Sequence, residues 1–146
     1  MTINAVTIFS EDHRDEMVGL GTLIGMLPSL MNFSTEPPIL LPKFVIHTRI
    51  NFPPPELPEF LELTMIDVDG NIMMKHQVET TQIKSATDDA IEKGLSIVGM
   101  AVNIVMRNFA VTKDNEIKVH VKADDQLVFS GHIVFRFPED TAVPTQ

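Results

Sequence analysis

Residues 44–52 read FVIHTRINF, and this stretch decides the fold class. Apolar and polar side chains alternate along it with a period of two, which is typical of a β-strand with one buried face. The opposite face carries His47 and Arg49, so the strand predicts both a core and an outward polar surface. The side chains predicted to point into the core are Phe44, Ile46, Thr48, Ile50 and Phe52.

The same alternation recurs outside this segment. Valine, isoleucine and threonine make up 40 of the 146 residues against 7 alanines, and β-branched side chains favour strands. We therefore predict an all-β fold, an antiparallel and immunoglobulin-like β-sandwich of about seven to nine strands with one short helix. Further strands are expected at residues 2–9, 61–65, 117–121 and 127–137, with one or two more between Leu20 and Phe33.

Asp69-Gly70 is the strongest hairpin signal in the chain, because both central positions of a tight two-residue turn require a positive φ. A two-residue loop at this point pairs Val68 with Asn71. The same register gathers polar side chains on one face of the hairpin, which supports it. The polar pairs are Thr64 with Lys75 and Glu62 with Gln77.

A second hairpin is expected around residues 123–125. A two-residue loop there would place His120 opposite Phe129 and mix the polar and apolar faces. Because alternate side chains must share a face, we predict a loop with an odd number of residues. A three-residue loop pairs Val121 with Leu127 and Val119 with Phe129.

Residues 88–106 fit two interpretations. Apolar side chains recur in this region at spacings of three and four, as in a helix, but Leu95–Met106 is rich in β-branched residues. We predict a short helix over Asp88–Lys93 that Gly94 ends, followed by a strand. Thr87 is the expected N-terminal cap.

The charge and the cysteine content exclude several classes of function. The chain has 11 basic and 20 acidic residues, and a net charge of −9 disfavours binding to nucleic acid over a broad surface. Because cysteine is absent, the chain has no disulfide scaffold, no thiolate zinc site and no cysteine nucleophile. We expect no cofactor and no direct partner among the nucleic acids.

The 19 residues 17–35 are uncharged and approach the length of a membrane span. Glycine, proline, serine and asparagine dilute the segment, and its flanks, Glu16 and Glu36, are acidic rather than basic. We therefore predict a cytoplasmic protein without membrane contact. The length suits one domain over residues 1–137, followed by a flexible tail over residues 138–146.

Two motifs that could bind ligands favour a structural interpretation. The glycines between Gly19 and Gly25 resemble a dinucleotide-binding loop, but the charged residues 11–16 before them do not form a buried strand. Neighbouring side chains in residues 11–16 point in opposite directions on an extended chain, so a solvated loop is expected rather than a metal site. A calcium site at the loop tips stays an alternative, and its ligands would be Asp67, Asp69, Asp124 and Asp125.

Histidine and basic side chains alternate outward along the predicted strands. If those strands are neighbours, the side chains form a mildly basic stripe across one sheet of an acidic protein, while a solvated sheet face is the alternative. The candidate ligand-binding residues are His47, Arg49, His120, Lys122, His132 and Arg136.

The order of the elements resembles a known family. The segments that carry the resemblance are LGTLIGMLPSLMNF (20–33), LPKFVIHTRINFPP (41–54), IDVDGNIM (66–73) and NEIKVHVKADDQLVFSGHIVFRF (115–137). They resemble a family of small, uncharacterised bacterial and phage-associated β-sandwich proteins, a domain of unknown function. The resemblance implies the sandwich fold and implies no site residue.

The sequence contains no catalytic constellation, so we predict a non-enzymatic binding or assembly module. With 44% hydrophobic residues and many strand edges to cover, a homodimer or larger homo-oligomer is expected. One alternative is an acidic inhibitor, of phage or mobile-element type, that binds a host nucleic-acid- or nucleotide-dependent protein. Another is a small-molecule binder or hydrolase that uses His47, His120 and His132.

Overall fold

A computed structural model describes residues 2–15 and 21–139. The described chain forms nine strands and one helix, which confirms the predicted all-β class with a single helix. A short 3-10 turn at Pro54–Glu56 follows the fourth strand, where three prolines end it. In chain order the elements are β1 (Asn4–Asp15), β2 (Gly21–Met26), β3 (Leu30–Asn32), β4 (Ile39–Phe52), β5 (Leu61–Ile66), β6 (Ile72–Gln77), α1 (Thr80–Glu92), β7 (Val98–Val111), β8 (Asn115–Ala123) and β9 (Gln126–Arg136).

The strands form two sheets that pack face to face. The four-stranded sheet has the order β2-β1-β4-β7, and the five-stranded sheet has the order β3-β9-β8-β5-β6. All neighbours are antiparallel except β3 and β9, which are parallel. The sandwich prediction is therefore confirmed, and the segment between Leu20 and Phe33 supplies two short strands, as expected.

The core lies between the sheets and follows the predicted alternation. Phe44, Ile46 and Ile50 of β4 have no exposed surface. The ring of Phe44 stacks on those of Phe9 and Phe109, at centroid distances of 5.5 and 4.8 Å. Because burying one such side chain contributes about 1.5–3 kcal/mol, β4 anchors the four-stranded sheet on the core.

The β5–β6 hairpin has the predicted register, with Glu62 opposite Gln77 and Thr64 opposite Lys75. Its turn differs from the prediction, because the amide of Gly70 donates to the carbonyl of Asp67 and Ile66 pairs with Ile72. The loop thus has one more residue than expected. A register shift between Met65 and Ile66 compensates for it, so the faces of the hairpin are unchanged.

The predicted loop of the β8–β9 hairpin is wrong. Ala123 pairs with Gln126 across a two-residue loop, and His120 does lie opposite Phe129. A β-bulge then restores the alternation, because Val119 pairs with Gly131 and Ser130 is the extra residue. Beyond this bulge, the apolar side chains of both strands again point into the core. The cause is the bulge at Ser130 and not the length of the loop.

The predicted helix exists, but its predicted start is wrong. α1 begins at Thr80 rather than at Asp88, and Thr87 is buried inside it with its hydroxyl donating to the carbonyl of Ile83 at 2.7 Å. The helix ends where expected, at Gly94 with a φ of +67°. The ambiguous segment that follows is a strand, β7, and it begins at Val98. The threonine-rich start of α1 has weak helix propensity, so packing on the core decides its length.

The strand β1 changes its partner along its length. Residues 4–10 pair with β4, and residues 10–15 pair with β2. We call residues 10–15 and 21–26 the arm. It lies across the outer face of the four-stranded sheet, because Asp12 contacts Lys43 of β4 at 3.1 Å and the outward-pointing Val45 has no exposed surface. The predicted solvated loop is therefore wrong for residues 11–15, and Glu16 lies outside the described residues.

Two other predictions fall partly outside the described residues. The uncharged segment 17–35 is described from residue 21 onward, where it forms β2 and β3. The predicted tail is described only at Pro138 and Glu139, which have no regular structure. Among the described residues, no helix has the length and apolar character that a membrane crossing requires.

Candidate functional site

The six candidate ligand-binding residues lie on opposite sides of the sandwich. His47 and Arg49 are on β4, in the four-stranded sheet. The other four are on β8 and β9, which are neighbours in the five-stranded sheet; they are His120, Lys122, His132 and Arg136. The condition for a single stripe, that all these strands are neighbours, is not met, because β4 belongs to the other sheet.

The side chains on the five-stranded sheet contact one another on an open surface. The ring of Phe129, which is 52% exposed, meets the edges of His120 and His132 at centroid distances of 5.7 and 6.0 Å. A ring nitrogen of His132 lies 3.2 Å from a carboxylate oxygen of Glu116, and the ammonium of Lys122 lies 6.0 Å from the ring of Phe60. These contacts form an aromatic row rather than a set of groups that converge on one point.

The pair on the four-stranded sheet lines a cavity of about 510 Å³ between the outer face of that sheet and the arm. We call this cavity the arm pocket. Sequence reasoning identified two of its residues, His47 and Arg49. It assigned His13 to a solvated loop and did not single out Asn103, because only the tertiary structure brings the arm over β4 and places β7 beside that strand. The lining consists of His13, Asp15, Gly21, Leu23, His47, Arg49, Ala101 and Asn103.

Hydrogen bonds orient the groups in and beside the arm pocket. A ring nitrogen of His47, Nδ1, bonds to the amide oxygen Oδ1 of Asn103, which lies directly opposite it on β7. Because the amide oxygen of Asn103 can only accept, the proton in this bond is on Nδ1 of His47. The bond does not use Nε2, the second ring nitrogen of His47. The ammonium of Lys43 donates to Asp12, and this bond holds the pKa of Asp12 below its usual range. The Lys43–Asp12 contact fastens the arm to the sheet.

A second candidate surface is the free edge of β7, which sequence reasoning did not identify because strand order cannot be read from alternation. In the described chain β7 pairs only with β4 and therefore lies at the edge of its sheet. Four apolar side chains in the middle of its inward face are only partly buried, whereas those of β4 beside them are fully buried. The partly buried side chains are Met100, Val102, Ile104 and Met106.

The helix α1 lies along one half of this edge. A groove of about 560 Å³ separates it from the first residues of β7. Val78, Ala86 and Met100 contribute apolar surface to the groove, and the polar side chains of α1 line its other side. Clefts between a helix and a free strand edge accept an additional strand in other proteins.

Metal chemistry finds no support in the described chain, where no group of three or more histidine, aspartate or glutamate side chains could hold an ion. The alternative calcium site is also not assembled. Asp124 lies beside Phe60, at the start of β5, and its carboxylate accepts the Phe60 amide, whereas Asp67 follows the end of the same strand. The two loop tips therefore lie at opposite ends of β5.

Comparisons of this chain with protein-family models, with curated proteins and with solved structures found no match. The resemblance to a family of phage-associated β-sandwich proteins therefore stays a prediction.

Proposed function

We propose that this protein is a non-enzymatic binding and assembly module that forms a homodimer, in which β7 of one copy pairs with β7 of a second copy. The observation that carries the proposal is the free edge of β7, a strand of 14 residues with four inward apolar side chains that stay partly exposed in the described chain. Pairing two such edges would join two four-stranded sheets into one continuous sheet.

The sequence of β7 complements itself in an antiparallel register centred on Val102. Met100 then lies opposite Ile104 of the second copy, so that inward apolar side chains meet each other. On the outer face Gly99 lies opposite Val105 of the second copy, which pairs a small residue with a larger one. No like charges meet in this register.

Residues 98–106 lack the side chains that usually protect an edge strand from pairing. They contain no charged residue and no proline. The first charged residue of the strand is Arg107, and the left-handed Asn108, with a φ of 53°, follows it. Both lie beyond the self-complementary segment, so they leave it free to pair.

The groove beside α1 supports the same register. The groove lies along residues 99–102 of β7. In an antiparallel pair, these residues face residues 102–105 of the second copy. The inward side chain of Ile104 from the second copy would therefore enter the groove and contact Ala86 of α1.

The test is the mass of the full chain in solution, measured by light scattering and sedimentation from about 1 to about 200 μM, because dimerisation depends on protomer concentration. A dimer is expected in the wild type. Val102→Lys places two ammonium groups opposite each other at the twofold axis, and it should raise the dimer dissociation constant at least about tenfold. The matched control is Val6→Lys, an exposed strand position on the outer face of β1 that should leave the mass unchanged.

A second variant protects the test against a folding defect at the partly buried Val102. Gly99→Lys combined with Val105→Lys changes two exposed positions. In the proposed register each new lysine lies opposite the other new lysine of the second copy, so like charges meet at two places. Circular dichroism confirms the fold of each variant. A wild type that is monomeric over the whole concentration range, or a dimer that both β7 variants leave intact, would overturn the proposal.

A further inference from the structure

We infer that the arm pocket binds a small organic carboxylate, with Arg49 as the residue that pairs with the carboxylate group. The inference uses the outer face of the sheet and does not rest on the proposed dimer, which uses the edge of β7. Its basis is one cavity of about 510 Å³ that combines an apolar wall, two imidazoles and a guanidinium with no ion-pair partner among the described residues.

Arg49 is placed to receive a ligand. It lies near the C-terminal end of β4, between Val6 of β1 and Ala101 of β7, and it is exposed. Within residues 2–15 and 21–139, no carboxylate lies within ion-pair distance of this group, while Lys43, Lys93 and Lys113 all have such partners. A planar guanidinium binds a carboxylate with two parallel hydrogen bonds, which suits Arg49 to this role.

The two histidines add polar groups to the lining that contains Arg49. His47 is held by Asn103 through Nδ1, which leaves Nε2 as its remaining ring nitrogen. His13 reaches over from the arm with a side chain that is 12% exposed, and its Nε2 lies 3.7 Å from the carboxylate of Asp15. The arm and the sheet therefore both contribute polar groups, as expected where a ligand binds between two elements.

The remaining residues of the arm pocket favour some anions over others. Leu23 and Ala101 provide apolar surface, which suits a ligand with an apolar body. Asp15 is a carboxylate at the rim with a side chain that is 93% exposed, and it disfavours a second negative charge on the ligand. A monocarboxylate with a small apolar body fits this combination better than an inorganic dianion does.

The test is a titration of the full, isotopically labelled chain with benzoate, followed by amide NMR. Binding should shift the amide signals of Leu23, His47 and Ala101, and Arg49→Gln should weaken it at least about tenfold, because the charge-assisted pair is lost. Arg136→Gln is the matched control, because this arginine is exposed on the other sheet. Its affinity for benzoate should equal that of the wild type.

A parallel titration with inorganic phosphate distinguishes the ligand classes. The dissociation constant for phosphate should be higher than that for benzoate. The inference is overturned if benzoate causes no shift around the arm pocket, if Arg49→Gln binds benzoate as the wild type does, or if phosphate binds as tightly as benzoate.

Discussion

The hydroxyl oxygen of Ser130 lies 2.7 Å from that of Thr7, and this contact joins the two sheets at the centre of the sandwich. Ser130 also donates to the carbonyl of Val119 at 3.0 Å, so its single proton is used there. Thr7 must therefore donate to Ser130, and Thr48, 2.8 Å from Thr7, must donate to Thr7. Three buried hydroxyls thus form one directed chain that ends at the β8–β9 bulge.

Ser130→Ala should destabilise the protein by about 1–3 kcal/mol, because it leaves the hydroxyl of Thr7 and the carbonyl of Val119 without this partner in a buried site. The measurement is the free energy of unfolding in urea. Thr112→Ala is the control, since Thr112 is exposed between two strands, and it should change that free energy by no more than about 0.5 kcal/mol. Equal effects of the two substitutions would contradict the directed chain.

Gly131→Ala should also destabilise the protein, through steric overlap rather than a lost hydrogen bond. A Cβ at this position would lie 3.0 Å from the carbonyl oxygen and 3.1 Å from the Cβ of Thr7 on the opposite sheet. Because a backbone atom cannot move aside as a flexible side chain can, we expect a cost of about 1–3 kcal/mol in urea unfolding. Gly70→Asn is the control for steric overlap, because no atom lies within 4 Å of that position. Its φ of +83° is strained for most residues but less so for asparagine, so we expect a smaller cost, below about 1 kcal/mol.

Asp67 should contribute to stability in a pH-dependent way. Its carboxylate accepts the backbone amide of Asn71 at 2.9 Å, and this bond is the main cause of a pKa below the usual aspartate range. A lowered pKa in the folded state means that the contribution is present above the unfolded value of about 3.9 and is lost as the pH falls through the folded value.

Asp67→Ala should therefore lower the free energy of unfolding at pH 7, and the difference from the wild type should shrink as the pH is reduced below about 4. Urea unfolding of both proteins across this pH range measures the effect. A difference that stays constant with pH would show that the carboxylate charge is not responsible.

Lys43→Met should loosen the arm and raise the pKa of Asp12 toward its usual range, because the Lys43 ammonium is the main cause of the lowered value. Both side chains are 37% exposed, so we expect the exchange of arm amides with solvent to increase no more than about fivefold. Hydrogen exchange and a carboxyl NMR titration measure the two effects. Lys75→Met, at an exposed site on β6, should change neither quantity.

The fold class could be predicted because the alternation of side chains is local. FVIHTRINF showed which side of β4 is buried, and the register of the β5–β6 hairpin followed from the matching of polar faces. The start of α1 and the β8–β9 loop could not be predicted in the same way. Packing of Ile83 and Ala90 on the core extends the helix beyond its local signal, and a bulge at Ser130 replaces the expected loop length.

The candidate site was predicted only in part, because alternation is a local signal and the site is built from distant parts of the chain. Alternation placed His47 and Arg49 on an outward face, but it could not show that β8 and β9 belong to the other sheet. Nor could it show that His13 of the arm lies over β4, because that position depends on the bend of β1 and on the contact between Asp12 and Lys43.

The sequence by itself determined which side chains of β4, β5 and β8 point inward, since successive residues on a regular extended chain face opposite sides. In β9 the bulge at Ser130 breaks this alternation, so that Ser130 is buried and Phe129 is exposed. It also determined that cysteine chemistry is absent. Only the tertiary structure decided which strands are neighbours, that the edge of β7 is free, and that the arm encloses a cavity with Arg49. Those features arise from contacts between residues far apart in the chain, and they depend on how two whole sheets bury their apolar faces together.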